Sequence, residues 1–345
     1  MTNKNFINKY DLLNQFDVLK NSYEQIDYAA QNNYEIKNIN TKIISNIVIS
    51  GLGGSAIAGE FLQNFLRDDL KINLIVNRNY NLPKFIDKNS LVIISSYSGN
   101  TEETISVFKE AIEKKCQVIV LSTGGVVKEI AEKNQLDFIL LKSGYQPRYA
   151  FFVSFFSLLK IFQTLELIDN HDQLIKWASE FIKQKGDEYS SEENIATINA
   201  KELIGFLPII YSVADVTNSV GNRYKCQLNE NAKVHAFCNL FPELNHNEII
   251  GWETVTENNF KSKVVNIIDD SYNAQIKKRF AITTELISQS GIQVLELKSK
   301  LGNFKERLID LIYLCDWISF YLAIYRSKDP SEIDFIHLLK NRLSQ

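Results

Sequence analysis

Short β-branched and aliphatic runs recur along this chain, and each is followed by a stretch with helical spacing. Ile43–Ser50, Ile72–Val76, Leu91–Ser95, Gln117–Leu121 and Phe138–Leu141 read as strands. Between them, the segments from Gly51 through Phe61, Asn100–Lys115 and Val126–Lys133 read as helices, and a long apolar helix is expected over Arg148–Leu167. Strands that alternate with helices pair in parallel, because each crossover returns the chain to the same sheet edge, and helices then cover both faces. The alternation then starts afresh. Pro208–Ser212 and Val234–Phe237 flank a helical span Asp215–Lys233. Val264–Ile268, the helix Ala274–Ser288, the strand Ile292–Leu297 and the helix Phe304–Ile324 follow, with a short helix Ser331–Leu343 after Pro330.

A chain of 345 residues is long for one core, and the doubled pattern divides it in two. The expected fold class is α/β, with two doubly wound parallel-sheet domains. A helical lead-in occupies 1–40, with apolar positions at Phe6, Tyr10, Leu13 and Phe16. The first domain is expected over 41–185, the second over 195–328, and a C-terminal helix over 329–345. The polar stretch Lys183–Asn194 falls near the boundary. A formal net charge of −3 gives no field for nucleic acid or an anionic membrane. No run is read as long enough to span a bilayer, and the polar Met1–Tyr10 carries no signal-peptide core. Cys116, Cys226, Cys238 and Cys315 are scattered, which suits reduced thiols in a cytoplasm and gives no zinc spacing. His171, His235 and His337 likewise lack metal-like spacing.

Two strand ends carry the chemistry. The run Ile47–Ser50 leads into Gly51-Leu52-Gly53-Gly54-Ser55 and a helix. Glycines there let backbone N–H groups approach a ligand, and a helix N-terminus adds partial positive charge. A dinucleotide fingerprint is a poor match, since Ala56 stands where the final glycine would be. Asn77 and Arg78 end the next strand where a ribose-binding acid would sit, so no nicotinamide cofactor is expected. A purely structural turn is the plain alternative.

The second strand end narrows the choice. Leu91–Ile94 runs into Ser95-Ser96-Tyr97-Ser98-Gly99-Asn100-Thr101-Glu102-Glu103-Thr104. The hydroxyls of Ser96, Ser98 and Thr101 can converge with the N–H groups of a helix start, a nest suited to phosphate. Ser98 or Asn100 could also simply cap the helix, and the two roles are compatible.

The segment Ser96–Thr104 resembles the phosphosugar-binding signature of sugar isomerase (SIS) domains. Gly51–Glu60, Gln146-Pro147-Arg148, Asn229-Glu230-Asn231-Ala232-Lys233 and Pro242–Glu248 extend the likeness. Together, in this order, they resemble the bifunctional phosphoglucose/phosphomannose isomerases, from about Ile43 to Lys340. The resemblance implies a homodimer of subunits with two SIS domains each, no cofactor and no metal. It also implies roles: Gly53, Gly54 and Ser55 contact the sugar; Ser96, Ser98 and Thr101 hold its phosphate. Arg148 stabilises the enediolate, because proton removal from C2 pushes charge onto the neighbouring oxygen. Glu230 is the base that moves the proton between C2 and C1. His246, reaching in from the partner subunit, assists ring opening with Lys340. The segment Tyr325–Pro330 departs from the family by lacking its usual glycine before Asp-Pro.

Two other classes stay open. The isomerase half of a glucosamine-phosphate synthase would need a preceding glutaminase domain with a nucleophilic cysteine, and no cysteine precedes Cys116. A non-catalytic phosphosugar sensor would usually carry a helix-turn-helix domain, for which the lead-in leaves little room.

Overall fold

The computed structural model describes residues 3–255 and 261–343. The chain divides into two compact units, one of Asn21–Lys183 and the other of the residues up to Lys20 with those from Gln184 on. The helical lead-in is therefore not one body. Helices α1 (Asn3–Tyr10) and α2 (Gln15–Lys20) belong to the second unit, whereas α3 (Tyr23–Gln31) belongs to the first. Side-chain packing explains the split. Phe16 stacks edge-on against Trp317 with ring centroids 5.4 Å apart. In the other direction, Gln25 donates from Nε2 to the Tyr149 carbonyl (2.8 Å) and accepts from the Val153 N–H (3.2 Å).

The first unit holds β1 (Asn46–Ser50), α4 (Gly53–Phe65), β2 (Asn73–Asn77), β3 (Ser90–Ser95), α5 (Glu102–Glu113), β4 (Gln117–Ser122), α6 (Gly125–Lys133), β5 (Asp137–Leu140) and α7 (Phe151–Thr164). All pairings are parallel, in the order β2-β1-β3-β4-β5. The core on one side of the sheet gathers Val48, Val92, Ile94, Val107, Phe108 and Val120. Helix α7 is apolar all round because it is buried, and it packs Phe155 edge-on against Phe61 at 4.7 Å. Helix α8 (Asp172–Tyr189) follows, and the division between units falls within it. The polar stretch Lys183–Asn194, expected near the boundary, thus contains the last turns of α8, up to Tyr189. Gly186 has a packing reason: a Cβ there would stand 2.3 Å from the Lys20 carbonyl oxygen.

The second unit contains α9 (Ile195–Glu202), β6 (Leu207–Val213), α10 (Asn218–Glu230), β7 (Phe237–Phe241), β8 (Ser262–Ile268), α11 (Ala274–Gln289), β9 (Gln293–Lys298), α12 (Phe304–Tyr325) and α13 (Asp334–Leu343). Its sheet is parallel in the order β7-β6-β8-β9. Two expected boundaries move. Helix α10 starts after Asp215, whose φ of +60° breaks the helical path. Strand β7 begins later than Val234, because the chain first closes α10: Lys233 is left-handed (φ +53°) and Asn229 Oδ1 accepts the Ala236 N–H at 3.0 Å. Helix α12 does have the length and apolarity to cross a bilayer, contrary to the reading from sequence. Yet 89% of its apolar window is buried inside the protein, as befits a core helix.

Candidate active site

Strand order places the first site. In a sheet ordered 2-1-3-4-5 the chain leaves β1 and β3 toward opposite faces, opening a crevice at their carboxyl ends where ligands bind. Ser50 pairs with Ile94, so the glycine-rich turn after β1 and the serine-rich turn after β3 are neighbours. The Tyr97 N–H donates to Ser55 Oγ at 3.1 Å and ties the two turns together. Ser55 and Ser96 are buried, Thr101 is half-buried, and Ser98 and Gly53 are exposed. Ser96 Oγ donates to Thr101 Oγ1 at 3.2 Å.

Helix α5 starts at Glu102, two residues later than the pattern suggested, with Thr101 as N-cap and no side-chain cap bond. Neither expected cap forms. Asn100 Oδ1 instead accepts the Val126 N–H from the next strand–helix turn (3.1 Å), and Ser98 Oγ accepts only the Asn100 N–H at 3.3 Å. That neighbouring turn, Thr123-Gly124-Gly125, buttresses the serine turn from behind: Thr123 donates to the Tyr97 carbonyl from Oγ1 (2.7 Å) and from its N–H (3.1 Å). A Cβ on Gly99 would meet the Gly124 carbonyl oxygen at 1.8 Å, so that contact requires glycine, as does the φ of +72°.

Arg148 is brought to the same end of the unit. It lies not in the long helix expected from Arg148 on but in a 3-10 turn, Pro147–Tyr149, that precedes α7. Gly54 lies directly against that turn. Arg148 is buried, with its guanidinium 5.3 Å from the Tyr149 ring centre. Tyr97 holds the segment leading to it: its hydroxyl donates to the Lys142 carbonyl (2.9 Å) and accepts the Tyr145 N–H (3.0 Å). Burial pushes the Tyr97 phenol up to about 12, against the Tyr145 hydrogen bond, so it stays a donor at any ordinary pH. Tyr97 and Gln25 escaped the reading from sequence. Tyr97 sat inside the motif as an apparent spacer, whereas nothing in the lead-in marks Gln25.

Glu230, His246 and Lys340 lie in the other unit. Glu230 is the last residue of α10 and is half-buried. His246 is exposed, in a 3-10 turn Glu243–His246. Its neighbour Asn245 is anchored to α11, donating from Nδ2 to Thr283 Oγ1 (2.8 Å) and accepting from Arg279 Nη1 (3.2 Å). Lys340 is exposed on α13, a helix with no buried residue. In this unit the strand order reverses between β6 and β8, and side chains beyond those strand ends bond to one another. Thr217 Oγ1 meets the Tyr272 hydroxyl at 2.5 Å, the Tyr272 ring stacks on Phe280, and Arg307 grips Asp269 at 2.7 and 2.9 Å. Among the described residues no three His, Cys, Asp or Glu side chains cluster to hold a metal ion.

Residues 192–343 match the family described as the bacterial phospho-glucose isomerase C-terminal SIS domain. A bifunctional phosphoglucose/phosphomannose isomerase from Caldicellulosiruptor bescii is 40% identical over 340 residues, covering 96% of this chain and 99% of that one. The chain belongs to the bifunctional phosphoglucose/phosphomannose isomerase family. Another such isomerase, from Aquifex aeolicus, is 33% identical over 306 residues, or 87% and 90% of the two chains. The fold of the family is shared more widely. The C-terminal domain of glucosamine-fructose-6-phosphate aminotransferase from Francisella tularensis superposes with a TM-score of 0.66 at 14% identity, over 92% of this chain and 97% of that one.

Proposed function

We propose that this chain is an aldose–ketose isomerase that interconverts glucose 6-phosphate and mannose 6-phosphate with fructose 6-phosphate through a cis-enediol. The observation that carries the reading is the hydroxyl-rich turn at the β1/β3 crevice, in a chain similar over nearly its whole length to isomerases of that name. Ser96, Ser98, Thr101 and the N–H groups at the start of α5 hold the phosphate; Gly53, Gly54 and Ser55 face the sugar. His246 and Lys340 open the ring by moving protons between the anomeric hydroxyl and the ring oxygen. Glu230 takes the C2 proton of the open aldose, and the Arg148 guanidinium balances the charge that appears on O1. The O2 hydroxyl proton passes to O1 and Glu230 returns its own proton to C1, leaving a hydroxyl on C1 and the ketone at C2. Glucose and mannose 6-phosphates differ only at C2, and the enediol erases that difference. Side chains alone perform these steps, so the enzyme is metal-independent. It works in the cytoplasm as a homodimer, with His246 supplied to the partner's site.

A coupled assay for fructose 6-phosphate, run in excess EDTA, tests the reading. Both aldose phosphates should turn over, and Glu230→Gln should lose at least about a hundredfold. Turnover of neither sugar would favour a phosphosugar sensor, which needs the hydroxyl turn but not Glu230. Activity lost to EDTA and restored by zinc would remove metal independence.

A further inference from the structure

Helix α10 ends in Glu230, and a ladder of buried polar contacts fastens that helix to α12. Arg223 donates to both carboxylate oxygens of Asp316, from Nε at 2.9 Å and from Nη2 at 2.7 Å. One turn on, Gln227 Nε2 donates to the same carboxylate at 3.1 Å. A further turn on, Asn231 Nδ2 donates to Ser319 Oγ at 3.0 Å, and that hydroxyl donates back to the Asp316 carbonyl at 2.7 Å. Past the helix end, Arg326 Nε donates to the Ala232 carbonyl at 3.1 Å. Arg223, Gln227, Asn231, Asp316 and Ser319 are each at most 2% exposed.

Stability is a poor reason for such a ladder. A buried ion pair seldom outweighs the cost of taking both charges from water, and apolar residues of similar size often serve as well. Burial holds the Asp316 carboxyl above its ordinary range even against Arg223, a sign that this pair is costly. What a polar ladder supplies and an oily seam does not is a single register. Arg223 and Gln227 of α10 both meet Asp316, and the C-cap Asn231 meets Ser319, a pattern that only one register of α10 on α12 satisfies. A slip of one residue turns a helix by roughly 100°. Glu230, between the Gln227 and Asn231 rungs, would then point elsewhere.

We infer that Arg223, Gln227, Asn231, Asp316 and Ser319 are positioning residues that set the direction of the Glu230 carboxylate. The inference rests on Glu230 as the base. Its test replaces the upper rungs with apolar residues, Arg223→Met, Gln227→Met and Asp316→Leu together. The triple variant should unfold at a temperature within a few degrees of wild type and keep KM within about twofold. Its kcat should fall at least tenfold. The primary isotope effect with substrate deuterated at C2 should rise, because proton transfer becomes the slow step. Wild-type kcat and isotope effect in the folded triple variant, with Glu230→Gln inactive, would overturn the ladder's role and leave the base standing. Should the triple variant not fold, Ser319→Ala alone decides: a severalfold loss in kcat at constant KM supports the inference, and full kcat overturns it. Full turnover by Glu230→Gln would instead remove the base itself, and the inference with it.

Discussion

At Gly54 a single added methyl group should reach the Arg148 turn. Its Cβ would lie 2.4 Å from the Pro147 carbonyl oxygen, which is backbone and has no side-chain torsion by which to give way. Gly54→Ala should therefore displace the turn that carries Arg148, lowering kcat at least tenfold while circular dichroism stays native. Wild-type turnover would show that Arg148 does not depend on this contact. Hydroxyl removal tests the phosphate site more gently. Ser98→Ala and Thr101→Val should each weaken phosphosugar binding by about 1–2 kcal/mol, the usual cost of an unpaired polar group. Calorimetric titration with fructose 6-phosphate measures this, and equal affinity of the double variant and wild type would refute it. Exposed Ser98 should lose less than Thr101, since water can replace a donor there more easily.

Among the elements, β8 and α12 are joined by a pair whose pH behaviour can be worked out. Burial works against the Asp269 charge, but hydrogen bonds from Arg307 and Ser271 outweigh it and hold the carboxyl below its usual range. A depressed acid contributes its stability in full above the unfolded value of about 3.9 and loses it as pH falls through the lower folded value. Asp269→Asn also leaves the Arg307 guanidinium buried without its countercharge, at a cost of about 3 kcal/mol. The gap between wild type and Asp269→Asn in urea unfolding should hence be constant from pH 8 to 5. It should narrow only below about pH 4. A gap that closed between pH 7 and 5 would contradict the depressed carboxyl.

For the whole molecule, the shared-site reading makes a demand that neither unit makes alone. If His246 serves the partner, homodimers of Glu230→Gln and of His246→Ala each lack an intact site. A mixed dimer holds one site with both lesions and one with neither. Subunit exchange should restore about a quarter of wild-type turnover, since about half the dimers are mixed and one of two sites works in each. Sedimentation should show the dimer first, and a fluorescence exchange assay should show mixing. Demonstrated exchange without recovered activity would place both residues in one subunit. The apolar side chains that α13 leaves exposed, Phe335 and Leu339 among them, lie on the element that carries Lys340, so truncation before Asp334 should weaken both dimer and turnover.

Periodicity carried most of this architecture in plain view. Period-two apolar runs and helical spacing follow from how a backbone presents side chains, and burial on one face or both stamps that pattern on the sequence. The two sheets, and the glycine and serine turns at strand ends, were legible for that reason. So was the order of the segments that place the chain in its family. Other features depend on partners far away in the chain. Nothing near residue 20 announces that Phe16 packs on Trp317 while Gln25 binds the backbone around α7. Nor does the polar stretch Lys183–Asn194, with few large apolar residues, disclose that helix α8 continues into it as far as Tyr189. Tyr97 as the clamp on the Arg148 segment, and Asp316 as the anchor of the Glu230 helix, are of the same kind. A hydrogen bond between residues 93 positions apart leaves no local period, so only the folded chain could disclose it.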